Sequence, residues 1–179
     1  MSEPTTGPAG AAFDDFVAAR STALWRSAFL LTGDRHKAED LLQAALVKTW
    51  RRWDRIGHGS SRSHETAEAY VRRALATTYT DWWRRRWRGE LPTGELPERA
   101  GDVDEAARAE VRHDVLTALA ALPRGQRAVL VLRYFDDLTE QQTADALGVS
   151  VGTVKSQASR AMTALRSSPA LTDRFGDAA

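Results

Sequence analysis

Helical periodicity is the sequence feature that most limits how this chain can fold. After Asp34, a residue suited to the N-cap of a helix, apolar or small residues recur every three or four positions from Ala38 to Trp53. That spacing places them on one face of a helix about five turns long. No segment alternates apolar and polar residues for long enough to predict a strand. The sequence therefore predicts an all-α fold.

The predicted helices form two groups that are separated by a linker. Residues 89–109 combine proline, glycine and acidic residues, a composition typical of a flexible linker. A glycine- and serine-rich loop is expected at residues 57–65. We therefore predict two small helical domains, residues 12–88 and 110–168, joined by a flexible acidic linker. The predicted segments outside them are a disordered tail at 1–11 and a C-terminal tail at 169–179.

Composition excludes several classes of function. None of the 179 residues is cysteine, which rules out disulfides, thiolate metal sites and thiol nucleophiles. The four histidines show no metal-ligand spacing, and no glycine-rich phosphate loop or nucleophile motif is present. We expect no metal, no cofactor and no enzymatic activity. Because no apolar run approaches the roughly 20 residues of a membrane span, we expect a soluble, cytoplasmic protein without a membrane partner.

Opposite charges occupy adjacent blocks of the chain. Residues 67–88 hold six arginines against two acidic residues, a balance of +4. Residues 89–114 hold eight acidic residues against three arginines, a balance of −5. This pattern predicts that the first block binds a polyanion and that the second stays away from it.

Residues 139–166 carry the strongest local motif. Thr139 and Gln142 have the spacing of a capping box that starts a helix. Gly148 is suited to end that helix, and Ser150 to cap the next one. A helix, a short turn and a longer helix predict a helix-turn-helix. Three apolar side chains are expected to pack the helix pair: Leu147, Val149 and Val154.

The second helix of this motif has a polar outer face. Short hydroxyl side chains and cations near its N-terminus suit contacts with base edges and phosphates in a major groove. The alternative is an ordinary helical hairpin with a solvated polar face. The candidate DNA-binding residues are Ser150, Val151, Thr153, Lys155, Ser156 and Arg160.

Aromatic residues and arginines alternate near the end of the first group of helices. By helical steps, Tyr79, Trp83 and Trp87 form one stripe, beside a face that includes Trp82 and packs inward. Exposed aromatics among arginines suit the stacking of unpaired bases. The alternative is that the tryptophans are core residues and the arginines a solvated face. The candidates are Arg72, Arg73, Tyr79, Trp82, Trp83, Arg84, Arg85 and Arg86.

Three segments together resemble one family, the extracytoplasmic-function sigma factors of bacterial RNA polymerase, and within it the actinobacterial sigma-E-like subgroup. The sequence from Leu122 to Arg166 resembles region 4, which reads the −35 promoter element. Asp81-Trp82-Trp83-Arg84 resembles regions 2.3 and 2.4, which melt and read the −10 element. Residues 38–50, AEDLLQAALVKTW, resemble region 2.2, which binds the clamp helices of the polymerase β′ subunit.

The resemblance implies a subunit that binds core RNA polymerase and promoter DNA and starts transcription. It adds Thr77 to the −10 contacts, where the family commonly has asparagine. It assigns polymerase binding to the outer face of the long helix, with Asp40, Leu42, Gln43 and Val47, which residue chemistry alone would equally explain as a solvated face. Alternative hypotheses are a stand-alone helix-turn-helix regulator and a protein-interaction module. The sequence leaves open whether an anti-sigma factor regulates the chain.

Overall fold

The computed structural model describes residues 8–56, 61–86 and 103–175. Every secondary-structure element in these ranges is a helix, which confirms the predicted all-α class. Most of the predicted linker and Trp87 lie outside the described residues. The elements are α1 (Pro8–Thr32), α2 (Arg35–Trp50), α3 (Trp53–Ile56), α4 (Ser61–Arg86), α5 (Val103–Ala121), α6 (Arg124–Leu130), a π-helical turn (Val131–Phe135), α7 (Glu140–Leu147), α8 (Val151–Arg166) and α9 (Pro169–Phe175).

Several helices extend beyond their predicted ends. Helix α1 begins at Pro8, inside the predicted N-terminal tail, and α9 occupies part of the predicted C-terminal tail. Helix α4 begins at Ser61, inside the predicted loop. Helix α6 continues into the π turn, where the backbone N–H of Asp136 donates to the carbonyl of Val131, five residues back. Such a turn inserts one extra residue and changes the direction of the side chains that follow it.

The N-terminal half packs α1, α2 and α4 around one apolar core. Asp34 caps α2 as predicted, because its carboxylate accepts a hydrogen bond from the backbone N–H of Lys37 at 2.8 Å. Gly33, with φ of 69°, provides the left-handed turn between α1 and α2. An aromatic cluster closes one end of the core, formed by Phe13, Phe16, Trp50 and Trp53.

The helix-turn-helix forms where the sequence predicts it. The capping box is complete, with reciprocal hydrogen bonds between Thr139 and Gln142. Gly148 ends α7 at φ of 66°, and the Ser150 hydroxyl accepts from the N–H of Thr153 at 3.1 Å. Leu147 and Val154 are buried as predicted. The predicted packing role of Val149 is wrong, since the turn points this side chain outward and leaves it 40% exposed.

The two halves of the chain pack on each other. Val129 and Leu132, near the end of α6 and in the π turn, belong to the same buried cluster as Leu24 of α1 and Val71 of α4. The buried residues of a second cluster, Leu119, Leu122, Leu130 and Ala161, all belong to the C-terminal half, and Leu30 of α1 packs against them. The C-terminal half therefore has apolar contacts of its own as well as a contact with the N-terminal half.

Candidate nucleic-acid and polymerase interfaces

The six residues predicted to bind the −35 element lie on α8 and at its N-cap, and four of them are exposed. Ser150, Lys155, Ser156 and Arg160 are exposed, while Val151 and Thr153 are half-buried. The Nζ of Lys155 lies 3.5 Å from a carboxylate oxygen of Glu140, an ion pair between two solvent-exposed side chains. Such a pair contributes about 0 to 1 kcal/mol, so it leaves Lys155 able to exchange partners.

A basic pocket of about 250 Å³ lies between the C-terminal end of α2 and the middle of α4. The predicted −10 residues Arg73 and Thr77 line it, and they are joined there by Lys48, Arg52 and Tyr70. Lys48 and Arg52 are not among the −10 residues that the sequence predicts. Three basic residues lie close together at the end of α2 and just after it: Lys48, Arg51 and Arg52. This clustering could have indicated the two positions.

Two other predicted −10 residues are enclosed rather than exposed. Tyr79 is 2% exposed and shares a hydrogen bond with Arg127 of α6. Arg72 has a 17% exposed side chain, and its Nη2 donates to Glu68 at 2.6 Å while its Nη1 donates to Asp136 at the same distance. This differs from the exposed aromatic and cationic surface that the sequence predicts.

The rest of the predicted −10 surface lies at the end of α4. Trp82 is half-buried and packs against the core, on the inward face with Val71 and Leu75 as predicted. The structure describes only the backbone at the other four positions, which lie on the closing turns of the helix: Trp83, Arg84, Arg85 and Arg86.

One face of α2 presents most of the residues assigned to polymerase binding. Asp40 and Gln43 are exposed, and Val47 is 50% exposed. These three positions share a face because they follow the three- and four-residue steps of a helix. Leu42 is 8% exposed and contributes to the core instead. Trp50, 47% exposed, continues the apolar part of this face toward the end of the helix.

Buried charges mark the contact between the halves. Burial raises the pKa of the Asp136 carboxyl, although the hydroxyl of Ser27 and the guanidinium of Arg72 both favour its charged form. Burial likewise lowers the pKa of Arg127, whose guanidinium donates to two backbone carbonyls. Each of these charges is desolvated by the packing of one half against the other.

Among residues 8–56, 61–86 and 103–175, no group of histidine and acidic side chains could hold a metal ion. No helix within those same ranges is long and apolar enough to cross a membrane.

Comparison with known families matches both halves of the chain. Residues 16–89 match Sigma-70 region 2, and residues 112–165 match Sigma-70 region 4. The RNA polymerase sigma-E factor of Streptomyces avermitilis is 43% identical over 156 residues, which are 86% of this chain and 83% of the relative. The chain belongs to the extracytoplasmic-function sigma factors. It is therefore a non-catalytic initiation factor that binds core RNA polymerase and promoter DNA.

Two further relatives agree with this family. The sigma factor SigL of Mycobacterium tuberculosis is 32% identical over 146 residues, 82% of each chain. The solved structure of the sigma factor RpoE of Bartonella quintana, in complex with the anti-sigma factor NepR, has 26% identity and a TM-score of 0.64. The match covers 86% of this sigma factor and 94% of RpoE. A stand-alone helix-turn-helix regulator would leave the region 2 match unexplained.

Proposed function

We propose that this sigma factor reads the −35 element with α8 and the −10 element with α4 and the basic pocket. It docks on core polymerase through α2. The matches to Sigma-70 region 2 over residues 16–89 and to region 4 over residues 112–165 support this assignment. The observation that carries the proposal is the open pocket beside Thr77, whose described lining includes Lys48, Arg52 and Arg73 and no acidic residue. Such a pocket suits a nucleotide, because cations bind its phosphate and a hydroxyl can contact its base edge.

The −10 assignment is tested with Thr77→Val, which removes the hydroxyl and keeps the side-chain shape. Thr80→Val is the matched control, because Thr80 lies on the same helix, also bonds to backbone carbonyls, and is outside the pocket lining. One lost hydrogen bond of about 1 kcal/mol changes preference at one −10 base by about fivefold. The readout is transcription in vitro with core polymerase on a promoter library. Equal preferences in Thr77→Val and wild type would contradict the assignment.

The stacking role of the end of α4 has its own test. Trp83→Ala should spare polymerase binding but block transcription from duplex templates, since a lost stacking contact costs about 1 to 3 kcal/mol. A template with a pre-opened bubble should restore transcription. If the bubble does not restore transcription by a variant with unchanged helical content, Trp83 does not act in melting.

The −35 assignment predicts a change in salt dependence. Arg160→Ala should weaken binding of the holoenzyme to promoter DNA and reduce the slope of log affinity against log salt by about 1. Arg166→Ala, at the far end of α8, should leave both unchanged. Equal slopes for Arg160→Ala and wild type would remove the phosphate contact from the proposal.

Polymerase docking is tested on the exposed face of α2. Asp40→Ala combined with Gln43→Ala should weaken binding to core polymerase, measured by fluorescence anisotropy of the labelled sigma factor. The control is Asp14→Ala, an exposed acidic residue of α1. If the double variant binds like the control, polymerase docks elsewhere.

We also propose that the chain works in the cytoplasm under an anti-sigma factor. Its polymerase partner supports the location, and the RpoE complex with NepR supports the class of regulator. A fluorescent fusion should co-localise with the nucleoid. Deleting the gene of an anti-sigma factor that binds the purified chain should raise transcription from its promoters, and unchanged transcription would contradict this part of the proposal.

A further inference from the structure

A buried hydroxyl holds one lysine of the basic pocket in place. The Nζ of Lys48, near the C-terminal end of α2, donates a hydrogen bond at 2.8 Å to the Oγ1 of Thr78 of α4. Lys48 lines the pocket, whereas Thr78 is outside the lining and only 3% exposed. The bond therefore ties an exposed lysine to the packed interior of the N-terminal half.

This bond is not the usual way in which a helical threonine satisfies its hydroxyl. Three other threonines of α2 and α4 donate to a carbonyl of their own helix three or four residues back: Thr49 to Ala45, Thr77 to Ala74 and Thr80 to Ala76. A helix offers such a carbonyl to any threonine. The bond of Thr78 instead joins it to a side chain of another helix, so we explain it by its effect on Lys48.

The other two cations of the pocket are not held in this way. Arg52 and Arg73 are exposed, and within the described ranges their side chains make no hydrogen bond or ion pair with another residue. A long cationic side chain loses conformational entropy when a ligand immobilises it. Lys48 has lost part of that freedom before any ligand binds, because its charged end is already held.

The held ammonium is still able to bind a phosphate. An ammonium has three N–H donors, so the bond to Thr78 leaves two of them for phosphate oxygens. The hydroxyl of Thr78 is neutral, and the described lining of the pocket contains no acidic residue. The bond thus fixes the position of the positive charge without compensating it.

We propose that Thr78 is a positioning residue for promoter binding, which holds the ammonium of Lys48 in the pocket for a phosphate of the −10 strand. The inference rests on the proposed role of the pocket in reading the −10 element. Without the hydroxyl the charge remains, but DNA binding must then immobilise the lysine. The cost of ordering one such side chain corresponds to a loss of affinity of about two- to tenfold.

The test is the affinity of the complete holoenzyme for a labelled promoter fragment with an unpaired −10 segment, selected from the promoter library. Fluorescence anisotropy measures this affinity from about 50 to about 200 mM salt. Thr78→Val removes the hydroxyl and keeps the buried shape, and Thr78→Ser returns the hydroxyl. Lys48→Met removes the charge. Thr80→Val is the matched control, because Thr80 bonds to carbonyls of its own helix.

Thr78→Val should weaken binding about two- to tenfold and leave the salt slope unchanged, because the charge is still present. Thr78→Ser should restore most of the affinity. Lys48→Met should weaken binding and also reduce the salt slope by about 0.7, the value for one phosphate of a single strand. When Lys48→Met is already present, Thr78→Val should cause no further loss, since no ammonium remains to be held.

A purely structural role of Thr78 would give a different pattern. Equal losses from Thr78→Val with and without Lys48, an equal loss in Thr80→Val, or wild-type affinity in Thr78→Val would overturn the positioning role alone. Wild-type affinity and slope in Lys48→Met would overturn both this role and the place of Lys48 in the proposed −10 site. Far-UV circular dichroism and a melting curve check the fold of each variant, and Thr78→Ala replaces Thr78→Val if valine disturbs the packing.

Discussion

The bond between Arg127 and Tyr79 predicts an energetic coupling between residues 48 positions apart in the sequence. Arg127 belongs to the region 4 half and Tyr79 to the region 2 half, and the two share a buried hydrogen bond. Replacing Arg127 with Met keeps much of the apolar volume and removes the guanidinium. Replacing Tyr79 with Phe removes only the hydroxyl.

The magnitude follows from the partners of the guanidinium. Arg127→Met removes the bonds to the carbonyls of Leu119 and Leu31, each worth about 1.5 to 3 kcal/mol when the donor is charged. Part of this loss is offset, because Met is buried without the desolvation cost of a cation. We expect a net loss of about 2 kcal/mol in the free energy of unfolding. The coupling between Arg127→Met and Tyr79→Phe should be about 1 kcal/mol.

Urea unfolding of the wild type, the two single variants and the double variant measures this coupling. Arg26→Met is the control, since Arg26 is an exposed arginine of α1 and its loss should change stability by less than about 0.5 kcal/mol. A coupling below about 0.3 kcal/mol would refute the bond between Arg127 and Tyr79. A loss for Arg127→Met no larger than for the control would refute the structural role of the guanidinium.

Further predictions concern pH, backbone strain and an exposed ion pair. The raised pKa of Asp136 means that the folded chain binds its proton more tightly than the unfolded chain. Unfolding free energy in urea titrations, relative to Asp136→Asn, should therefore fall as pH rises from about 4 through the raised pKa, by about 1.4 kcal/mol for each pH unit between the unfolded and folded pKa values. Gly148→Ala should lower the free energy of unfolding, measured by thermal melts, by about 1 kcal/mol, because alanine is strained at a φ of 66°. No atom lies within 4 Å of the added methyl, so no steric clash adds to this cost. Glu140→Gln should change stability by less than about 0.5 kcal/mol but tighten promoter binding in filter assays, because it releases Lys155.

The helix-turn-helix was predictable because its signals are local. The hydroxyls of Thr139 and Ser150 each accept a hydrogen bond from the backbone N–H three residues ahead. Gly148 adopts the positive φ that ends α7. Hydrogen bonds and angles of this kind depend on residue types at fixed short spacing, so a sequence displays them directly. The direction of the Val149 side chain, by contrast, depends on the path of the turn in space. Its predicted burial was therefore wrong.

The candidate promoter surface was only partly predictable. Arg73 and Thr77 lie in a basic pocket, but two other lining residues come from elsewhere: Lys48 from α2 and Arg52 from the turn after it. They reach the pocket only after α2 and α4 pack. Helical spacing placed Tyr79 on the outer side of α4 with respect to its own half. It could not reveal that a distant helix covers this side.

The sequence alone determined the all-α class, the helix caps and the family, because residue spacing and motif chemistry carry these within short stretches of chain. The tertiary structure alone decided that Asp136 meets Ser27 and Arg72 and that Arg127 meets Tyr79. Those contacts join residues 48 to 109 positions apart. In the sequence alone, Asp136 and Arg127 look like ordinary surface residues. Burial is a property of the assembled molecule, since it depends on what packs against a side chain from elsewhere in the chain.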